Sequence, residues 1–488
     1  MMTCEERDFM TKVNNMIPEG AKYIIHEFAK YGHPSFLVGG CVRDIILGRT
    51  PHDWDICTDA TPEQMELMVH CMIQLEDDIE QYEKDFGRVY VKRHIKTIPT
   101  GLKHGTLTIV INDESYEVTT FRCDGNYSDG RRPDSVSFTK SLVDDLQRRD
   151  FTINAIAYNP QQGLIDPFNG IKDIENKIIR CVGNPYERFN EDGLRIMRAV
   201  RFSAQLGFRI DDCTRRAMYK LVDNLDNVSN ERINSELYKI MSSCYSYLMI
   251  FHKDILCKII PEFKECIDYN QNNPYHIYTL HKHTAVALIE GDYSDPIINL
   301  SILFHDIGKP RCCTIGDDGY SHFKGHGSVS ADMAEAIMKR LKFDNDTTAK
   351  VKELVFYHDA TFTVERKSVK RWLNKLGEEQ FRRLLRIRIA DIKAQTFDFE
   401  KERIQKITDI QMLLDDVLQE NECFTLKNLS INGKDLIQYG VPEGKTIGVI
   451  LNTLLTMVID GEINNDKDSL LQMTHLLLKN RGDYNVNS

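Results

Sequence analysis

Phe36-Leu37-Val38-Gly39-Gly40-Cys41-Val42-Arg43-Asp44, followed ten residues after Arg43 by Asp53-Trp54-Asp55-Ile56, decides how this chain folds at its N-terminal end. An apolar run, two glycines and a renewed mixed pattern through Gly48 predict a buried strand, a tight turn and a helix start. Glycines there let backbone N–H groups approach a ligand closely, and a helix N-terminus favours anions. The segment Asp53–Cys57 is expected to be a strand, on which residues i and i+2 project from one face. Asp53 and Asp55 then converge. Two carboxylates that close repel unless a cation lies between them, and oxygen-rich ligation beside a phosphate site suits Mg2+. Glu117, on a later strand, could add a third carboxylate.

Outward from this stretch, an amphipathic segment near 17–31 and strand-like runs Ser35–Val38, Thr106–Ile111 and Tyr116–Phe121 give residues 1–160 an α/β character. The polar break Asn112-Asp113-Glu114-Ser115 between two β-branched runs predicts a hairpin. From about 165 onward the pattern is helical, with long segments such as Leu194–Gln205 and Glu365–Arg388, and boundaries are expected near 160, 255 and 405. At 488 residues the chain is long enough for about three domains. Its 42% apolar and 28% charged content excludes disorder, and its apolar runs are too short for a membrane span. The acidic opening MMTCEERDFM is unlike a signal peptide, so a cytoplasmic protein is expected. Thirteen cysteines without a C-x-x-C pair predict reduced thiols. A net charge of −11 confines any nucleic-acid contact to a local face.

The order Gly39-Gly40-x-x-Arg43-Asp44-x-x-x-Gly48 then Asp53-x-Asp55 resembles the active-site signature of the class II tRNA nucleotidyltransferases, which share it with bacterial poly(A) polymerases. Glu117 to Arg122, continuing through Gly130-Arg131-Arg132-Pro133-Asp134-Ser135, is similar to that family's strand and flexible loop. Arg148-Arg149-Asp150 with Thr152 and Asn154 resembles its ribose-recognition motif. Glu191-Asp192-Gly193-Leu194-Arg195 through Arg198, Arg201 and Phe202 looks like its nucleotide-selecting helix, and Ser229-Asn230-Glu231-Arg232 like a later neck motif. The resemblance implies a multidomain chain: an α/β, mixed-sheet nucleotidyltransferase head (1–160), an all-α neck (161–255), a helical body (256–405) and a helical tail (406–488) that contacts the tRNA elbow. It implies addition of C, C and A to the tRNA 3′ end from CTP and ATP, with Mg2+ on Asp53 and Asp55 and no covalent nucleophile. Asp192 and Arg195, three apart, are expected on one helical face. A carboxylate accepts and a guanidinium donates, which matches the amino group and ring nitrogen that cytosine and adenine share; uracil and guanine present the reverse. Arg198 and Arg201 could hold triphosphate oxygens, and Arg149 and Asp150 phosphate and ribose.

A second set lies further on: His283, His305-Asp306-Ile307-Gly308-Lys309, His326, His358 and Asp391. Imidazoles and carboxylates on facing helices are divalent-metal ligands. The ordered set resembles the HD phosphohydrolase superfamily, with His283, His305, Asp306 and Asp391 matching its core and His326 and His358 its additional histidines. This implies a divalent metal that activates water toward a phosphate ester, or a degenerate domain kept as tRNA scaffold. Between Glu365 and Lys393, ten Lys/Arg against four acids offer a phosphate-backbone face or a solvated helix face. Rival readings are CC-only addition, A-only addition, a poly(A) polymerase, an HD phosphohydrolase with an RNA-binding head, and a non-catalytic RNA-binding protein. The complete loop from Arg122 to Pro133 favours A addition, and the acidic chain disfavours the poly(A) polymerases with their basic tails.

Overall fold

The computed structural model describes residues 13–86, 89–99, 101, 105–125, 135–398 and 400–480. The chain forms two compact units: one runs to Ile240 and adds His252–Ile259, the other comprises Met241–Phe251 and everything from Ile260. The expected divisions near 160 and 405 fall inside these units.

The first unit is built on a mixed sheet. Its strands are β1 (Ser35–Val38), β2 (Asp55–Thr58), β3 (Ile95–Ile98), β4 (Thr106–Ile111) and β5 (Glu114–Thr120). A small ribbon of β6 (Arg122–Asp124) and β7 (Val136–Phe138) follows, then β8 (Ala157–Asn159) and β9 (Gly163–Ile165). The sheet order is β3-β4-β5-β2-β1-β8-β9, and only β2 and β5 run parallel. That pairing puts Asp55 directly opposite Glu117. All of β1 is buried, as an apolar run covered on both faces must be. Phe36 and Val38 join Cys57, Phe121, Leu146 and Ala157 in one core cluster, while helix Glu19–Lys30 packs against β1. Thr61 and Gln64 form a capping box, with Pro62 at the first turn, to start helix Pro62–Asp85.

Two strand expectations shift. The hairpin closes over Asn112 and Asp113 alone, both left-handed at φ 50° and 68°. Asn and Asp tolerate that region, so Glu114 and Ser115 join the ladder opposite Ile111 and Val110. The ladder of β2 begins at Asp55, leaving Asp53 two residues before the strand.

The second unit is nearly all helix: Leu280–Ile289, Pro296–Phe304, His326–Arg340, Asn345–Tyr357, Arg366–Lys393 and Glu400–Gln419, then Gly433–Gln438, Lys445–Asp460 and Lys467–Asn480. The last of these close on a separate apolar cluster that includes Leu436, Ile450, Leu454 and Leu470. Gly377, at φ 74° and ψ 168°, breaks Arg366–Lys393 into two helices, since only glycine takes that conformation cheaply. Most of the basic stripe on this segment is paired with acids. Arg366 pairs with Glu420 and Glu422, Arg371 with Asp460, Arg382 with Asp415, Arg383 with Asp295, Arg386 with Asp292 and Lys393 with Glu290. Lys375 lies over Tyr357 and Trp372. The partners come from distant helices and from the loops and caps beside them, which sequence periodicity does not reveal. No helix among the described residues is long and apolar enough to cross a membrane, and every described cysteine is a free thiol.

Candidate functional sites

The chain turns at Gly39 with φ 82° and ψ −131° between β1 and helix Gly40–Ile46. A Cβ at that position would stand 3.2 Å from Arg149 Nη1 and 3.8 Å from Asp55 Oδ2, so glycine lets the turn approach both groups. Beyond it opens a cleft of about 500 Å³ walled by seven arginines (43, 148, 149, 195, 198, 201 and 232) and four aspartates (53, 55, 150 and 192). Gly40, Asn154, Leu194 and Phe202 complete the wall. Glu117 stands beside Asp55 across the β2–β5 ladder.

These carboxylates sense one another. Burial pushes the Asp55 carboxyl up to about 6, and Glu117 and Asp53 push the same way against the pull of Arg149. Neighbouring acids that are all oxygen donors suit a hard divalent cation such as Mg2+.

The arginines are held by acids the chain places behind them. Asp145, fully buried, takes Arg148 at 2.7 Å and Arg149 at 3.2 Å. Asp150 accepts the Phe151 N–H (2.8 Å) and the Asn154 amide (3.1 Å) on Oδ1 and Arg198 (2.8 Å) on Oδ2. Burial alone would raise Asp150, but Arg198 and Asn154 hold it at about 2. Arg43 donates to Asn154 (2.8 Å) and to its neighbour Asp44. Arg201 is anchored by Glu236 at 2.5 Å, and its guanidinium lies 4.1 Å from the Phe202 ring centre.

Asp192 departs from expectation. It is extended (φ −147°, ψ 107°) in the break between helices Pro185–Glu191 and Leu194–Leu206, not on the helix with Arg195. Gly193 beside it lets Asn224 pass close, since a Cβ there would meet the Asn224 carbonyl at 2.5 Å. Arg232 grips Asp192 with two hydrogen bonds (2.7 and 3.2 Å), and the Leu194 N–H adds a third (3.0 Å). Arg195 is tied to Glu191 and to the carbonyls of Arg188 and Arg148. Both side chains line the cleft.

The sequence reading gave no role to Asp145, Arg232, Glu236 or Phe202. For Asp145 a signal existed, since it precedes Arg148 and Arg149 by helical spacing. Arg232 lies 40 residues from Asp192 and Glu236 35 from Arg201, beyond any local pattern. Residues 126–134 of the expected loop, with Arg131, Arg132, Pro133 and Asp134, lie outside the described residues.

The second cluster lies wholly in the helical unit, and all six expected residues meet there. His283 Nε2 and His305 Nε2 are 3.1 Å apart, with Asp306 Oδ2 at 3.3 and 3.1 Å and Asp391 Oδ1 at 3.2 and 3.8 Å. His326 Nε2 and His358 Nε2 are 3.0 Å apart, with Asp306 Oδ1 at 3.3 and 3.5 Å. Every Nδ1 faces a backbone carbonyl: Ala394 for His283, Ile302 for His305, Phe323 for His326 and Val355 for His358, at 2.7–2.9 Å. A carbonyl only accepts, so each ring donates from Nδ1 and turns Nε2 inward. Burial pulls His283 down, but Asp306 and Asp391 push it up to about 9, so the pocket favours positive charge. A cleft of about 400 Å³ opens on the cluster, lined also by His276, Lys309, Lys324 and Gln395, to which the sequence reading gave no role.

Comparison with known proteins agrees with this architecture. The family model "Poly A polymerase head domain" matches residues 35–96 and 78–180, "Probable RNA and SrmB- binding site of polymerase A" matches 207–267, and "tRNA nucleotidyltransferase domain 2 putative" matches 323–474. The CCA-adding enzyme of Staphylococcus saprophyticus is 30% identical over 468 residues, covering 94% of this chain and 98% of that protein. The CCA-adding enzyme of Lactobacillus helveticus is 31% identical over 441 residues, covering 90% and 92%. The crystal structure of the Bacillus stearothermophilus CCA-adding enzyme in complex with CTP shares the fold, with a TM-score of 0.63 at 24% identity over 95% of this chain and 98% of that one. At that identity and coverage, the chain belongs to the family of CCA-adding enzymes.

Proposed function

We propose that this protein adds C, C and A to the 3′ end of tRNA from CTP and ATP, releasing pyrophosphate, in the cytoplasm. The single observation that carries this beyond family membership is the first cleft, where Asp53 and Asp55 face arginines enough for a triphosphate, with Glu117 next to Asp55 in the sheet. Mg2+ held by Asp53 and Asp55 would activate the RNA 3′-hydroxyl and neutralise the leaving pyrophosphate. Arg149, Arg198 and Arg201 bind the triphosphate, their guanidinium forks already aimed by Asp145, Asp150 and Glu236. Asp150 and Asn154 offer the acceptor and amide for ribose hydroxyls. Asp192 accepts from the base amino group and Arg195 donates to the ring nitrogen. Three of a carboxylate's about four lone-pair positions on Asp192 are taken by Arg232 and the Leu194 N–H. The remaining position selects an amino donor and rejects a carbonyl, so cytosine and adenine pass. The test is incubation with Mg2+, all four nucleoside triphosphates and tRNAs ending at the discriminator base, at C and at CC. Growth of each to CCA and then a stop is expected; a stop at CC, A added only to the CC substrate, or a poly(A) run would replace this reading with the corresponding rival.

A second reading belongs to the helical unit. Its His/Asp cluster beside a cleft with Lys309 and Lys324 supports metal-dependent hydrolysis of a phosphate ester. Release of phosphate from p-nitrophenyl phosphate under added Mn2+, abolished by Asp306→Ala, is the expected result.

A further inference from the structure

Asp145 is no part of the first cleft's wall, although Arg148 and Arg149 are. It lies in the short helix Leu142–Gln147, is 0% exposed, and divides its two oxygens between different partners. Oδ1 accepts Arg148 through Nε (2.9 Å) and Nη2 (2.7 Å), and also the Arg122 N–H (3.3 Å) where β6 begins. Among the described residues, Oδ2 accepts from Arg149 Nη2 alone, at 3.2 Å. Burial would raise the Asp145 carboxyl, but Arg149 and Arg148 hold it below the usual carboxylate value, so it stands there as an anion.

Arg149 has a second acid close by. Its Nη1 and Asp55 Oδ2 both lie within 4 Å of the point where a Cβ on Gly39 would stand, yet no ion pair joins Arg149 to Asp55 among the described residues. The Arg149 Nε is buried without a partner. An orphaned buried donor is unfavourable, and an ionised Asp55 is an acceptor that could answer it. The guanidinium thus stands between two carboxylates and is bonded to only one of them. A guanidinium that moved onto Asp55 would form a charge-assisted hydrogen bond there. It would leave the triphosphate and also take the oxygen that a cation needs.

Resting on the reading above, in which Asp53 and Asp55 hold Mg2+ and Arg149 binds the triphosphate, we propose that Asp145 is a positioning residue that keeps Arg149 off Asp55. One buried carboxylate then separates two neighbouring functions: the arginine stays available to phosphate oxygens and the aspartate to the cation. Asp145 touches neither ligand and acts only through Arg149. Its other oxygen, on Arg148 and the Arg122 N–H, has a supporting task that an amide oxygen can also perform.

Asp145→Asn isolates this role. With the amide oxygen kept by Arg148 and the Arg122 N–H, the amide NH2 faces Arg149, donor against donor. Mn2+ binding to the full chain is followed without nucleotide by electron paramagnetic resonance, and CTP binding by titration calorimetry in EDTA. A chain carrying Asp53→Asn and Asp55→Asn gives the Mn2+ taken up by the helical unit, which is subtracted. Asp145→Asn should then weaken Mn2+ binding at the cleft on the order of 10-fold or more, the worth of one hydrogen bond to a charged group, and CTP binding by a similar factor. Asp145→Ser, smaller and equally neutral, carries the same expectation, and far-ultraviolet circular dichroism should match the parent in each variant. Arg149→Met added to Asp145→Asn should return Mn2+ affinity to the parent's value, while CTP binding stays as weak as in Arg149→Met alone. Were Asp145 only a structural support, the double variant would bind Mn2+ as weakly as Asp145→Asn. That result, or parental Mn2+ affinity in Asp145→Asn, would overturn the proposal. A parent chain whose Mn2+ uptake equals that of the Asp53→Asn, Asp55→Asn chain would instead remove the metal reading beneath it.

Discussion

Asp55 carries two opposed demands. As a cation ligand it must be ionised, yet burial and its acidic neighbours push its carboxyl up to about 6. Because the folded value lies above the unfolded 3.8, the folded state holds the proton more tightly. This contribution to stability is present at low pH and is lost as pH rises from about 4 through 6. Asp55→Asn, measured by urea unfolding without divalent cations at pH 8, should therefore stabilise the chain on the order of 2 kcal/mol, while pyrophosphate release falls about 10³-fold or more. An unstable variant would refute the first half, and an active one the second. His252 works in the opposite sense. Burial and Arg215 hold it at about 4, with Tyr219 at 2.9 Å on Nδ1. Its folded value lies below the unfolded 6.5, so its contribution is complete above pH 6.5 and is lost as pH falls toward 4. His252→Gln should flatten that acid limb of the unfolding profile by about 2–3 kcal/mol.

Among the elements, the turn at Gly39 and the segment Arg366–Lys393 make different predictions. Gly39→Ala forces a Cβ into a positive φ and toward Arg149. It should cost about 1–3 kcal/mol in unfolding free energy and raise the KM for CTP. A variant with parental KM would show that Arg149 does not need this close approach. In Arg366–Lys393, Arg371 and Arg382 are bound to Asp460 and Asp415. Losing one phosphate contact flattens the slope of log affinity against log salt by about 0.7–0.9. Arg371→Ala and Arg382→Ala should leave the slope for tRNA unchanged; a flatter one would restore the segment as an RNA-binding face. This element also marks a limit of sequence reading. The count of basic residues was visible, but their acidic partners lie up to 103 positions away. Asp192 shows a subtler case: the helical spacing to Arg195 was visible, whereas its extended backbone, held by Arg232 from 40 residues away, was not.

At the scale of the whole chain, the division into two compact units predicts that unfolding is not two-state. CTP at 100 times its Kd should stabilise one transition by about 2.7 kcal/mol and leave the other in place, as differential scanning calorimetry can show. Equal shifts in both transitions would mean the units unfold together. Much of both sites was legible because their residues cluster in short motifs: Asp53 with Asp55, Arg149 with Asp150, His305 with Asp306. The parallel register that sets Glu117 beside Asp55 was not, since it joins strands some sixty residues apart and follows from sheet order alone.

Three of the four imidazoles in the helical unit take their carbonyl from the residue three positions earlier, within a single turn of their own backbone. His283 alone borrows its carbonyl from Ala394, 111 positions away at the end of Arg366–Lys393. The orientation of His305, His326 and His358 is thus a local property that survives loosening elsewhere, while that of His283 is held in trust by a distant terminus. Heat or a truncation that frays this terminus disarms His283 first and leaves the other three rings still aimed.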